Sequence, residues 1–463
     1  MSRRHARAWF HLAGWLATTA GCTGPPASPE PPPLRPALAR DTTLPLDAAH
    51  TDVLLLNLCT VRKDRLGLYG HDRPTSPFLD SLAAGGTTFE TNFAQAPWTR
   101  PSMGALLTGS WPRALHLDDR GPDNRSSNTL AEAHITLAEH LSTHGYRTMG
   151  VFGNPHLRSM FGFGQGFDTY RTRDGKGWGT RPPEAEEIVK AGLALAAEVP
   201  LDQRLYLQVN ALDAHHPVRA RAPFIGPMEI GPEETRRAEH DSAIRAMDDQ
   251  LQVLVRRLRQ TRPNLLVVVT ADHGEGLRLP AHHGPGHGNH VYRTTVETPL
   301  MYWHPAAASP GHRAGGLSMN IDVLPTLLDL LGLPVGAALD GHSQAAAVRG
   351  EAPVADHDMA FSETFFRTTH KATAFDGTWQ LVRTHDDAAG TAADALFSAA
   401  DAEAMTDVAE ARPTVTARLA ARLDAWEDQM QRLEQRGTSQ TRSLDADQIR
   451  MLEDLGYLGN EGK

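Results

Sequence analysis

The sequence predicts an α/β protein: a mostly parallel central sheet sandwiched by helices, followed by a smaller C-terminal α+β subdomain. Three observations carry this prediction. Apolar runs of strand length, "DVLLLNL", "YRTMGVFGN", "RLYLQVNAL" and "NLLVVVTADHGE", each end in polar residues, as strands buried on both faces do. Amphipathic stretches, "DSLAAGG", "TLAEHLSTHG" and "AIRAMDDQLQVLVRRLRQ", lie between the runs, and that alternation implies crossover units and a parallel sheet. From about residue 355 the pattern changes. "FSETFFRTTHKATAFDGTWQLVRTHD" alternates like a hairpin, and "TVTARLAARLDAWEDQMQRLEQR" reads as an amphipathic helix.

Taken in chain order, the N-terminus reads as a targeting segment. "MSRRHAR" is a basic region, and "AWFHLAGWLATTA" is an apolar run too short to anchor stably across a bilayer. It ends in "TAGC", small residues directly before Cys22, which is the pattern of a bacterial lipobox. Residues 1–22 are therefore expected to be a lipoprotein-type signal peptide. Cys22 is the expected lipid anchor, and the expected location is the periplasmic or cell-surface side of a membrane. Residues 23–50 contain "TGPPASPEPPPLRPALAR", a proline-rich, extended tether. The predicted main domain is 51–354, and 355–463 forms the C-terminal subdomain and tail. "NIDVLPTLLDLLGLP" is a further predicted helix of the main domain. The 463 residues suffice for this organisation. A net charge of -10 argues against nucleic acid as a partner. Two cysteines cannot build a disulfide framework.

Chemistry in open α/β sheets gathers at the carboxyl ends of strands. Two strand ends carry suitable groups here: "NLCTVRKDRLGLYG" after the first run, and "TADHGE" after the last. A position such as Cys59 is where a metalloenzyme would place a carboxylate. His282 and His283 lie in a Gly- and Pro-rich loop and read as solvated. Gly284, Gly286 and Gly288 lack the following helix of a dinucleotide-binding fingerprint.

From about Thr51 to Gly459 the sequence resembles the sulfatases of the alkaline-phosphatase superfamily. The blocks stand in the family's order: "VLLLNLCTVRKDRLGLYGHDRPTSPFLDSLAAGG", "APWTRPSMGALLTGSWP", "TLAEHLSTHGYRTMGVFGNPHL", "NALDAHHPV", "VVVTADHGE" and "GHGNHVYRTTVETPLM". "LDADQIRMLEDLGYLG" resembles a tail found in one bacterial branch. The resemblance implies an alkaline-phosphatase-like fold and hydrolysis of sulfuric or phosphoric esters. It also implies a divalent metal that neutralises the ester oxygens, and a nucleophile at a helix start, where free N–H groups favour an anion. By the same resemblance Asp272 and His273 match the second metal block. His156, His215 and His287 match catalytic or anion-contacting histidines. Arg62 and Asp213 match substrate-binding positions. The implied substrate is a sulfated or phosphorylated small molecule or glycan.

Several positions depart from the family. Cys59 stands where the first metal-binding Asp is usual. Thr99 stands at the nucleophile position, in "TRPSM", and threonine is not a substrate for formylglycine formation, so no formylglycine is expected. Met103 replaces the motif's Arg, Asn154 replaces a pocket Lys, and Ser110 replaces a basic residue. Each lost transition-state donor costs roughly 2–4 kcal/mol, so the conventional sulfatase mechanism does not carry over. Three readings of Cys59 stand open. It is a soft metal ligand, or a buried residue in a silent site, or a redox-reactive thiol. In the first reading Cys59, Thr99, Asp272 and His273 make a four-ligand site whose thiolate suits zinc far better than calcium, the metal itself standing open between zinc and calcium or manganese. That set is similar to the single-metal site of phosphoethanolamine and lipoteichoic-acid transferases. Two functions follow: a metal-dependent ester hydrolase or transferase with Thr99 as nucleophile, or a catalytically inactive protein that binds an anionic glycan or surface partner.

Overall fold

In the computed structural model the described residues are 41, 43–117, 126–172, 183–216, 218, 232–277, 286–306, 309–336, 339–354, 357–366, 369–438, 440–446 and 449. All belong to one unit, Ala37–Lys463. The expected signal peptide, Cys22, His282, His283 and most of the C-terminal tail lie outside the described residues.

The strands, in chain order, are β1 (Asp52–Leu58), β2 (Thr87–Phe93), β3 (Ser126–Thr129), β4 (Arg147–Phe152), β5 (Thr169–Arg171), β6 (Leu205–Ala211), β7 (Leu265–Thr270), β8 (Leu300–Trp303), β9 (His312–Met319), β10 (Ala360–Thr364), β11 (His370–Phe375), β12 (Trp379–Asp386), β13 (Thr391–Ser398) and β14 (Gln440–Ser443). Eight form the central sheet in the order β5-β4-β6-β1-β7-β8-β2-β9. Its pairings are parallel except those of β8, which runs antiparallel to β7 and β2. β1, the strand that ends at Cys59, sits in the interior between β6 and β7.

Both faces of this sheet are covered, and β1 shows why its sequence is a continuous apolar run. Leu54, Leu56 and Leu58 pack on one side with Ile188, Leu195, Ile244 and Leu251, from the helices Ala185–Ala197 and Pro232–Thr261. Val53 and Leu55 pack on the other with Met103, Leu106, Leu141 and Leu327, from the helices Thr99–Thr108, Leu137–Thr143 and Val323–Leu330. Alternate residues of one strand thus serve opposite cores. The predicted helix at "NIDVLPTLLDLLGLP" starts as a 3-10 turn, Asn320–Asp322, and continues as an α-helix to Leu330.

The C-terminal segment extends the expected hairpin to a four-stranded antiparallel meander, β10-β11-β12-β13. The helix Pro413–Glu434 covers it with Leu419, Leu423, Trp426 and Met430, a spacing that puts all four on one helical face. Trp426 stacks on Phe361 at 5.1 Å between ring centroids and meets Trp111 edge-on at 5.4 Å. Phe361 lies on β10 and Trp111 follows the helix Thr99–Thr108, so the smaller sheet packs against the segment that leaves the candidate site.

Candidate functional site

Two strand ends build the centre of the site. β1 ends at Leu58, and Cys59 and Thr60 turn the chain. Thr60 has φ of 59°, a left-handed conformation costly for a β-branched residue. The turn aims the Thr60 N–H at Asp272 Oδ1, 3.2 Å away, and the His273 N–H reaches the same oxygen at 3.0 Å. β7 ends at Thr270 and delivers Asp272 and His273 two and three residues later. Gly274 lies so close to Thr294 that a Cβ there would stand 2.1 Å from the Thr294 carbonyl oxygen, so only glycine lets the loop run this way.

Four side chains meet at this point, all fully buried. The Cys59 thiol donates to Asp272 Oδ2 at 3.3 Å and lies 4.0 Å from Thr99 Oγ1. Thr99 Oγ1 is 3.3 Å from His273 Nε2, which is 3.5 Å from Asp272 Oδ2. Asn154 caps the group. Its Nδ2 donates to Thr99 Oγ1 at 3.0 Å and to Cys59 Sγ at 3.3 Å. The amide orientation is fixed, because its Oδ1 accepts the His156 N–H at 2.9 Å. Thr99 opens the helix Thr99–Thr108, where backbone N–H groups and the helix dipole favour negative charge.

Protonation follows from burial. Burial and the Asp272 charge push the Cys59 thiol well above its ordinary range, with the Asn154 amide opposing. Burial lowers His273 against the pull of Asp272. The His273 Nδ1 lies 2.8 Å from the Gly274 carbonyl, an acceptor only, so Nδ1 carries the proton and the Nε2 lone pair faces Thr99 and Asp272. That is the arrangement usual behind a metal-bound imidazole.

The residues present fit a divalent ion. One donor atom each from Cys59, Asp272 and His273 lies within 4.8 Å of the others. Sulfur, imidazole and carboxylate together suit Zn²⁺ and do not suit Ca²⁺, which takes six or more oxygens. Thr99 Oγ1 adds a fourth donor.

A wall of histidines stands beside this cluster. The His287 ring is 4.4 Å from that of His273 and 4.9 Å from that of His215, centroid to centroid. His287 Nδ1 lies 3.2 Å from Glu275 Oε2, and His215 Nδ1 donates to the His216 carbonyl at 2.6 Å. Burial lowers His287 to about 4, and burial together with His287 lowers His215 to about 3. Both rings are therefore neutral at pH 7. Asp213 lies, half-buried, in the turn that carries His215.

Arg62, expected to contact substrate, lies beside the site with its guanidinium among carboxylates. Its guanidinium pairs with Asp64 at 2.6 Å and Glu403 at 2.9 Å and reaches the Glu275 carbonyl at 3.4 Å. Two carboxylates neutralise it, and its route to the site runs through Glu275. Glu275 itself closes the quoted "ADHGE" stretch, and sequence reasoning passed over it. Arg100 was also passed over, although it adjoins Thr99 in "TRPSM". It is buried, donates to His156 Nδ1 at 2.8 Å, and lies over the Phe161 ring at 4.3 Å. A cation thus stands one residue from Thr99, whereas Met103 packs in the core of the sheet.

The sulfatase family model matches residues 51–333. Human N-acetylgalactosamine-6-sulfatase is 26% identical over 342 residues, 63% of this chain and 64% of that protein. Human arylsulfatase A is 28% identical over 333 residues, 60% of this chain and 63% of that protein. This chain thus spans somewhat under two thirds of the length of either. Among solved structures, one is described in complex with its substrate D-glucosamine-2-N,6-O-disulfate. It superposes with a TM-score of 0.68 at 16% identity, covering 82% of this chain and 98% of that one. The phosphonate monoester hydrolase of Agrobacterium radiobacter superposes with a TM-score of 0.68 at 20% identity, covering 82% of this chain and 96% of that one.

Proposed function

We propose that this chain, which belongs to the sulfatase family, is a metal-dependent hydrolase or transferase of phosphoric- or sulfuric-type esters with Thr99 as nucleophile. The observation that supports this reading is the convergence of Cys59, Asp272 and His273 from two strand ends with Thr99 from a helix start, neighbouring donor atoms lying 3.3–4.0 Å apart. A zinc ion held by Cys59, Asp272 and His273 would supply charge neutralisation for the ester oxygens and make the neighbouring hydroxyl more acidic. The chain's own residues do the rest. With His273 Nε2 given to the ion, Asn154 Nδ2 holds the Thr99 oxygen in one orientation at the helix start. Asn154 offers its N–H to negative charge building on Oγ1. The neutral rings of His215 and His287 supply bases that can take the proton of the water or acceptor alcohol that resolves the intermediate.

Threonine sets the reaction class. A formylglycine diol expels sulfate with its second hydroxyl, and Thr99 has none. A sulfated threonine would be slow to hydrolyse, whereas a phosphorylated one can be resolved by water or an acceptor alcohol. The substrate class is a phosphorylated or sulfated small molecule or glycan, in keeping with the disulfated sugar and the phosphonate monoester of the two structural neighbours. The test is turnover of aryl sulfate, aryl phosphate, aryl phosphodiester and aryl phosphonate with added zinc. Phosphorus esters should exceed sulfate, and Thr99→Ala should remove at least about a hundredfold of the rate. Strong sulfate turnover dependent on Thr99 would refute this mechanism. Zinc binding with no turnover of any ester would favour the silent anion-binding reading.

The leader supports an export reading, in which Cys22 is lipidated and holds the protein at a membrane through the proline-rich segment. Cys22→Ser should release the protein into the soluble periplasmic or extracellular fraction. A wild-type protein already soluble there would end that reading.

A further inference from the structure

We propose a second divalent-cation site, of zinc type, on the antiparallel sheet, formed by His370, His385 and Asp387. In the β11–β12 register His370 stands directly opposite His385, and cross-strand partners lie close enough for their side chains to meet. The rings stack at 3.8 Å between centroids and 10° between planes, so their in-plane lone pairs run parallel and a ring must turn about its Cβ–Cγ bond for both to hold one ion. Asp387 follows the end of β12, and its Oδ1 lies 3.0 Å from His370 Nδ1. One ring nitrogen of each histidine and one Asp387 oxygen fall within 4.8 Å of one another. This is the only such group besides Cys59–Asp272–His273 among the described residues.

The surroundings suit a cation. Glu427, on the helix Pro413–Glu434, lies with Oε1 2.9 Å from His385 Nε2, so a carboxylate stands behind one imidazole as it does in zinc proteins. His370 Nε2 is buried and has no hydrogen-bond partner among the described residues, which leaves one nitrogen for which those residues supply no acceptor. The Phe365 ring stacks on the His370 ring at 4.2 Å, which leaves His385 as the ring that turns to the ion. Arg383, the nearest guanidinium on β12, is paired with Asp394, Asp424 and Glu427. Arg113 lies over the Phe365 ring at 4.6 Å and is paired with Glu363. Both nearby guanidiniums are thus held by carboxylates. Asp387 is mostly exposed, while the two rings are largely covered, so an ion would enter from solvent past the carboxylate. Two imidazoles and a carboxylate form a donor set used by zinc. An ion there would tie β11 to β12 and, through Glu427, to the covering helix.

The site stands apart from the buried cluster, and one experiment separates them. The full chain, stripped with a chelator, is titrated with Zn²⁺ alone by calorimetry, and retained zinc is counted after gel filtration. Wild type should bind two equivalents. His385→Ala and His370→Ala should each bind one, and Asp387→Ala, a change at an exposed side chain that leaves the core untouched, should weaken the same event at least about tenfold. Cys59→Ser should lose the other equivalent only. Zinc binding of unchanged stoichiometry and affinity in His385→Ala and Asp387→Ala would overturn the proposal. So would a wild type that binds no zinc, or a single equivalent lost in Cys59→Ser.

Discussion

The two donor clusters differ in how the chain assembles them. Cys59 and Asp272 are 213 residues apart and meet because parallel strands deliver their carboxyl ends to one edge of the sheet. His370 and His385 meet because a tight antiparallel pairing sets them opposite each other. The first cluster is fully buried, and its backbone donors are committed to Asp272. The second is open to solvent through Asp387. The comparison teaches that burial, not ligand type alone, sets what each cluster can do. A buried cluster can exclude water from a reacting ester, whereas a half-open one is suited to holding a sheet and a helix together.

The largest expected effect that tests this contrast is on the first cluster. Asp272→Asn removes the carboxylate that Thr60, His273 and Cys59 all address. It should weaken zinc binding there by at least about a hundredfold and leave the second equivalent unchanged in the same titration. A smaller effect comes from Cys59→Asp, which restores a hard oxygen ligand. Zinc affinity should fall about tenfold while manganese or calcium affinity rises, a reversal measurable by competition. Equal metal preference in both proteins would mean that Cys59 is not a ligand.

Protonation offers a third test, in chelated protein. His215 and His287 sit near 3 and 4 in the fold, below the ordinary value of about 6.5. Between about pH 6.5 and 3 the unfolded chain binds more protons than the native one. Their contribution to stability is therefore complete above about 6.5 and is lost as pH falls through that window. Each neutral ring adds a slope of at most about 1.4 kcal/mol per pH unit. Denaturant midpoints of wild type and His215→Gln should converge with acid, and parallel curves would contradict the assignment. The smallest effect is expected at Thr60. Thr60→Gly relieves the left-handed backbone and loses the bond from Oγ1 to the Cys59 carbonyl. The net change in stability should stay within about 1 kcal/mol, read from the same denaturation curves.

Much of this protein is determined by its sequence alone. The apolar runs that became β1, β4, β6 and β7 announce strands buried on both faces, because runs this short with polar or glycine ends suit strands better than helices. "TADHGE" and "TRPSM" were legible as site blocks, since strand-end and helix-start chemistry leaves a local mark. The strands β2, β5, β8 and β9 were not legible. They are short or polar, and β8 runs against its neighbours, which only pairing decides. The tertiary structure alone decided that Arg62 is neutralised by Glu403, 341 residues away, and that Arg100 turns to His156 rather than to solvent. It also decided that His370 and His385 face each other. Hydrophobic periodicity records which side of an element is buried. It carries no record of which distant charge or ring will lie across the gap, because that depends on register and on side-chain packing between segments the sequence keeps apart.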